Sequence, residues 1–129
     1  MSERALTMKL MDGLYGVCRF NSDEAIPEWV FQSSFYSVTK TLDELSVVCS
    51  QDSIPNKIKC EKDWRILRVE GPLDFSLIGI LSSISTTLAN KGISIFAIST
   101  YDTDYILVKD KNIDTAIDAL SADKYEIIR

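Results

Sequence analysis

The feature that most constrains this chain is the order of hydrophobic periods between Trp64 and Arg129, where strand-like alternation and helical stripes follow one another in a fixed sequence. Trp64-Arg-Ile-Leu-Arg-Val-Glu has the period of a half-buried strand, and Gly71-Pro72 ends it. Asp74 offers an N-cap to a helix expected from Phe75 to about Asn90, striped by Leu77, Leu81, Ile84 and Leu88 and widened by Ile80. Gly92 marks its exit. A strand over Ile93–Thr100, a turn at Tyr101-Asp-Thr-Asp and a strand at Tyr105-Ile-Leu-Val-Lys then form a hairpin. Asp110 or Asn112 can cap a second helix carrying Ile113, Ala116, Ile117 and Leu120 on one face, and Tyr125-Glu-Ile-Ile closes the chain as a strand. The expected class is α+β: a ferredoxin-like βαββαβ unit with both helices on one face of a four-stranded antiparallel sheet.

The first half is poorer in helix. Leu14–Phe20, Ser34–Lys40 and Leu45–Cys49 have strand composition, with one helical turn near Pro27-Glu-Trp-Val-Phe. Thr41-Leu-Asp-Glu-Leu-Ser-Val-Val matches Tyr101-Asp-Thr-Asp-Tyr-Ile-Leu-Val at a displacement of 60 positions, which suggests a degenerate internal repeat. Pro55 and the lack of a stripe in Gln51–Ile58 indicate that the first repeat has lost its second helix. The expected division is a degenerate unit over residues 1–62 and a complete unit over 63–129; two unrelated hairpins with similar turns are the simpler alternative.

Composition narrows the function by exclusion. A formal net charge of −5 and a pI near 4.7 oppose binding to a phosphate backbone. Neither the N-terminus nor any later segment is apolar for long enough to span a bilayer, so a cytoplasmic location without membrane association is expected. Cys18, Cys49 and Cys60 lie in or beside apolar runs and are expected to be buried thiols. The chain contains no histidine, and no serine or cysteine has an evident activating partner, so it is not expected to be an enzyme. Asp102 and Asp104 could hold a divalent ion only if Glu70 or Asp74 joined them; no metal and no cofactor are expected.

The stretch Glu70-Gly-Pro-Leu-Asp-Phe has a physical reason to bind a small anion. Unsatisfied backbone N–H groups at a helix N-terminus attract a carboxylate, and Gly71 lets the main chain approach closely. An amino acid could be held there by its carboxylate, with its ammonium group facing Asp74 or Asp104. Against this stand plainer roles: an N-cap for Asp74, a turn residue for Asp102, an exposed charge for Glu70.

With Gly92-Ile-Ser-Ile-Phe-Ala-Ile-Ser-Thr-Tyr and Thr103-Asp-Tyr-Ile-Leu-Val, these residues give a sequence that resembles the ACT domain family. It is most similar to small tandem-ACT bacterial proteins, whose relatives include aspartate kinase regulatory domains and a cytosolic arginine sensor. The resemblance extends over essentially the whole chain. It implies that an amino acid binds between ACT units, through Gly71, Leu73, Asp74 and Phe75 in the loop and Ile98, Ser99 and Thr100 on the strand. Asp104 matches an acidic position that contacts ligand in the arginine-sensor-like members. Unlike the kinases, this chain is expected to carry no catalytic domain to regulate. An open sheet edge makes a homodimer the expected oligomer. The alternative is an adaptor with a vestigial pocket that docks a partner enzyme.

Overall fold

The computed structural model describes residues 6–70 and 79–129. Two compact units emerge. One is Gly13–Trp64; the other joins the N-terminal strand, up to Asp12, to the segment from Arg65 onward. The partition expected from sequence lies at 62/63, whereas here the division falls after Trp64 and the N-terminal strand joins the later segment.

In the C-terminal unit the strands are β1 (Thr7–Leu10), the later part of β5 (Cys60–Val69), β6 (Phe96–Ser99), β7 (Asp104–Lys109) and β8 (Glu126–Ile128). Their order is β6-β7-β5-β1-β8. The four expected strands are present, but a fifth lies among them. β1 is antiparallel to β5, with Met8 opposite Val69 and Leu10 opposite Leu67, and parallel to β8, with Met8 opposite Ile127. The sheet is therefore neither four-stranded nor wholly antiparallel. A strand of four residues, Thr-Met-Lys-Leu, is too short for a local pattern to announce it. Burial fixes it instead: Met8 and Leu10 enter the core with Leu67, Val69, Ile84, Leu88, Ile106, Val108 and Leu120.

Helix α1 runs over Ile80–Ala89 and α2 over Ile113–Ala122. The expected start of α1 at Phe75 is corrected by Gly79, whose φ of +79° no right-handed helical residue adopts. The capping role expected of Asp74 lies outside the described residues. At the other end Gly92, at φ +72°, carries the chain out of the helix, and the Ile93 N–H returns to the Leu88 carbonyl at 3.0 Å. Neither Asp110 nor Asn112 caps α2 with its side chain; a 3-10 turn over Asp110–Asn112 leads into it, and Asp110 accepts a hydrogen bond from Arg65 Nη1 at 3.2 Å.

The N-terminal unit contains β2 (Tyr15–Phe20), β3 (Ser37–Lys40), β4 (Leu45–Ser50) and the first residues of β5, in the order β3-β4-β2-β5 and antiparallel throughout. Its helical turn is a 3-10 segment, Glu28–Gln32, which buries Val30 against Cys18, Leu45, Val47, Cys49 and Ile54. Between Tyr15 and Val17 the pairing with β5 slips, because three residue steps on β5 face two on β2. The extra residue is accommodated at Asp63, φ +69°, whose backbone N–H donates to Gln51 Oε1 at 2.6 Å.

The hairpins β3-β4 and β6-β7 share one turn. Thr41 N–H donates to the Glu44 carbonyl at 2.9 Å and Thr100 N–H to the Thr103 carbonyl at 2.8 Å; each threonine hydroxyl also accepts the N–H of the residue three positions on. Lys40 faces Leu45 as Ser99 faces Asp104, so the structural displacement is 59 and not the expected 60. The difference is physical, because slipping a strand by one residue exchanges its two faces. At 59 the core residues Val47 and Cys49 correspond to the core residues Ile106 and Val108.

Candidate functional site

The site is best built from the turn between β6 and β7. Thr103 is 3% exposed, unusual for a polar turn residue, and its hydroxyl donates to the Val69 carbonyl at 2.6 Å. Thr100 closes the turn from the other side, its Oγ1 donating to the Thr103 carbonyl at 3.1 Å. The turn is thereby pinned to the last residue of β5, immediately before the segment that joins β5 to α1.

Asp104 opens β7 directly opposite Ser99, and Ser99 Oγ donates to Asp104 Oδ1 at 2.6 Å. Such a short hydroxyl-to-carboxylate bond orients the carboxylate. Among the described residues, Oδ2 takes no hydrogen bond and stays available as an acceptor. Alternation along β7 puts Asp104 on the face of Ile106 and Val108, the face that packs against the helices.

The expected residues do not all gather at one point. Ser99 and Asp104 are in contact, and Thr100 is one residue away in the turn. Ile98 pairs with Tyr105 on the opposite face of the sheet, by the same alternation. That face also carries Arg68, whose guanidinium lies 6.0 Å from the Tyr105 ring centre and 3.6 Å from Glu70 Oε2. Both members of this ion pair are more than a third exposed, so it contributes little to stability. Gly71, Leu73, Asp74 and Phe75 lie outside the described residues. Thr103 is a positioning residue that sequence reasoning passed over; its one signal was the threonine three residues before it, echoed by Thr41 ahead of Glu44.

A separate cleft of about 370 Å³ lies where the end of α1 meets α2, lined by Thr87, Asn90, Lys91, Thr115, Asp118 and Asp123 among others. Thr87 Oγ1 donates to Asp123 Oδ2 there at 2.7 Å. It shares no residue with the β6-β7 turn. Among the described residues no group of acidic or sulfur side chains is arranged to hold a metal ion, and no helix is long and apolar enough to cross a membrane.

Residues 59–122 match the model of the ACT domain, and residues 13–57 match a separate model of an N-terminal domain. A protein of known structure from Agobacterium tumefaciens is 34% identical, the match covering 98% of this chain and 94% of that one with a TM-score of 0.91. A Vibrio cholerae protein shares 20% identity over 92% of this chain and 89% of its own, with a TM-score of 0.75. The aspartate kinase of Clostridium acetobutylicum, described as an allosteric enzyme, shares 14% identity over 89% of this chain and 33% of its own, with a TM-score of 0.62. At the latter two identities the likeness establishes a shared fold.

Proposed function

The chain belongs to the ACT domain family, and from that premise we propose that it is a regulatory, ligand-binding protein whose ligand is an amino acid. The observation that carries the reading is the hydrogen bond from Thr103 to the Val69 carbonyl, which holds Asp104 beside the end of β5. In this reading the ligand's ammonium group takes Asp104 Oδ2, with Ser99 fixing the carboxylate's orientation and Thr100 completing the wall. The residues proposed for the ligand's carboxylate are Gly71, Leu73, Asp74 and Phe75. Ile98, on the other face of β6, contributes instead to an edge that a second copy of the chain covers, since β6 pairs only with β7 among the described strands. We further infer a non-catalytic, cytoplasmic homodimer; the absence of histidine supports the first of these.

A thermal-shift screen against the twenty amino acids tests the proposal. A ligand at a hundredfold over its Kd should add about 2.7 kcal/mol of stability. Asp104→Ala should abolish the shift and leave the unliganded melting temperature near that of the unsubstituted protein. Absence of a shift with every amino acid would overturn the amino-acid reading, and unfolding of Asp104→Ala without ligand would make Asp104 structural.

One observation favours the adaptor as a second reading. In the N-terminal unit Phe31 and Tyr36 meet edge to face at 5.3 Å while remaining 51% and 44% exposed. An exposed aromatic pair of this kind suits protein contact. On the adaptor reading Phe31→Ser abolishes association with a partner enzyme while no amino acid shifts the melting temperature.

A further inference from the structure

The cysteines of the N-terminal unit come from three neighbouring strands, Cys49 from β4, Cys18 from β2 and Cys60 from β5, and all belong to one core. Cys18 and Cys60 are direct partners in the antiparallel register. Cys49 lies opposite Gly16, one strand further along the same face. A Cβ placed on Gly16 would lie 3.5 Å from Cys60 Sγ, so the Cys60 sulfur leans into the space that the glycine leaves open.

Directly opposed residues of an antiparallel pair have Cα atoms about 4.5 or 5.5 Å apart, depending on the pair type. Both values fall inside the roughly 4.4–6.8 Å range that a disulfide spans. A bond between these two sulfurs therefore needs side-chain rotation and no backbone movement. Accessibility differs within the pair: Cys60 is half-buried and Cys18 is 1% exposed, while Cys49 is fully buried.

We propose that Cys18 and Cys60 form a redox-modification site that a hydroperoxide closes into a disulfide. Cys60, the sulfur that solvent can reach, attacks a peroxide oxygen. The O–O bond breaks, Cys60 becomes a sulfenic acid and one water leaves. The Cys18 sulfur then attacks the Cys60 sulfur; the S–O bond breaks, and the departing hydroxyl takes the Cys18 proton as a second water. Two thiols and one hydrogen peroxide give one disulfide and two waters, the thiols being oxidised by two electrons and the peroxide reduced by two. Burial raises the Cys18 thiol from its ordinary 9.0 to about 12, with the neighbouring sulfurs adding to the effect. Cys18 is therefore poorly suited to the first step, and its protonation makes the second step slow.

The three cysteines fall in different tryptic peptides, residues 10–19, 41–57 and 60–62, which makes the assignment direct. The full chain is exposed to hydrogen peroxide, quenched with an alkylating agent and digested without reduction. The expected result is peptide 10–19 linked to 60–62 within a monomer, with 41–57 recovered alkylated and the link reversed by dithiothreitol. Recovery of the two peptides unlinked, a link to 41–57, or a disulfide between chains would each overturn the proposal. Cys18→Ser should leave Cys60 as a sulfenic acid that dimedone captures. Should that buried substitution prevent folding, Cys60→Ser serves: Cys18 should then survive peroxide as a thiol, and its oxidation at the original rate contradicts the assigned order.

Discussion

Thr103 shows how one hydroxyl can set a site. Its donor reaches a carbonyl 34 positions away in the sequence, and replacing it removes that hydrogen bond. Thr103→Val keeps the shape and leaves the Val69 carbonyl without this donor, which should cost about 1–3 kcal/mol in denaturant unfolding. Thr103→Ser keeps the hydroxyl and should cost less. At Gly16 the constraint is space. A Cβ there would come within 2.5 Å of Ile54 Cδ1, the far end of a side chain that can rotate away. Gly16→Ala should therefore fall near the lower end of the roughly 1–3 kcal/mol typical of overpacking, measured in the same way. Neither effect was legible in the sequence, because both depend on partners brought close by pairing between distant strands. Asp104 and Ser99 are both candidates from the sequence, but the hydrogen bond by which Ser99 orients Asp104 is not legible there.

At the scale of elements, α2, the hairpins and the end of α1 at Gly92 could be read directly, because stripe, turn and terminator lie within a few residues of one another. The start of α1 could not. Its apolar stripe runs back to Leu77 without a break, whereas the left-handed backbone at Gly79 fixes the first helical residue at Ile80. The hairpin repeat was visible, but its displacement was misread by one, since a match of apolar residues does not distinguish the faces of a strand. The paired strands β2 and β4 also carry a pH dependence. Burial lifts Cys18 to about 12 and Cys49 to about 11, from an ordinary 9.0. Because the folded values lie above the unfolded one, the stability these thiols contribute is complete below about pH 9 and is lost as pH rises towards 11–12. The unfolding free energy from denaturant titration should fall across that window by up to about 1.4 kcal/mol per pH unit for each thiol. Cys49→Ala should flatten the slope while lowering stability at neutral pH.

At the scale of the whole molecule the consequence of β1 dominates. The family match begins at residue 59, yet the unit it describes has Thr7–Leu10 between β5 and β8. A chain of residues 63–129 alone would leave β5 and β8 without the strand that pairs with both, and would open the core where Met8 and Leu10 belong. Such a fragment should aggregate or show poorly dispersed amide NMR signals, and supplying residues 6–12 through a flexible linker should restore dispersion. Dispersed signals from the fragment alone would show that β1 is dispensable.

The sequence by itself determined the α+β class, the succession of elements from β5 to β8, the helix-poor first half and the family resemblance, since each rests on periodicity, turn chemistry or local motif. Tertiary structure alone decided that β1 enters the middle of the C-terminal sheet, that the repeats correspond at 59, that Thr103 ties Asp104 to the end of β5, and that Cys18 meets Cys60. In each case the physical reason is the same: strand neighbours and register are chosen by burial and hydrogen bonding between residues far apart in the chain, and a local pattern does not encode them.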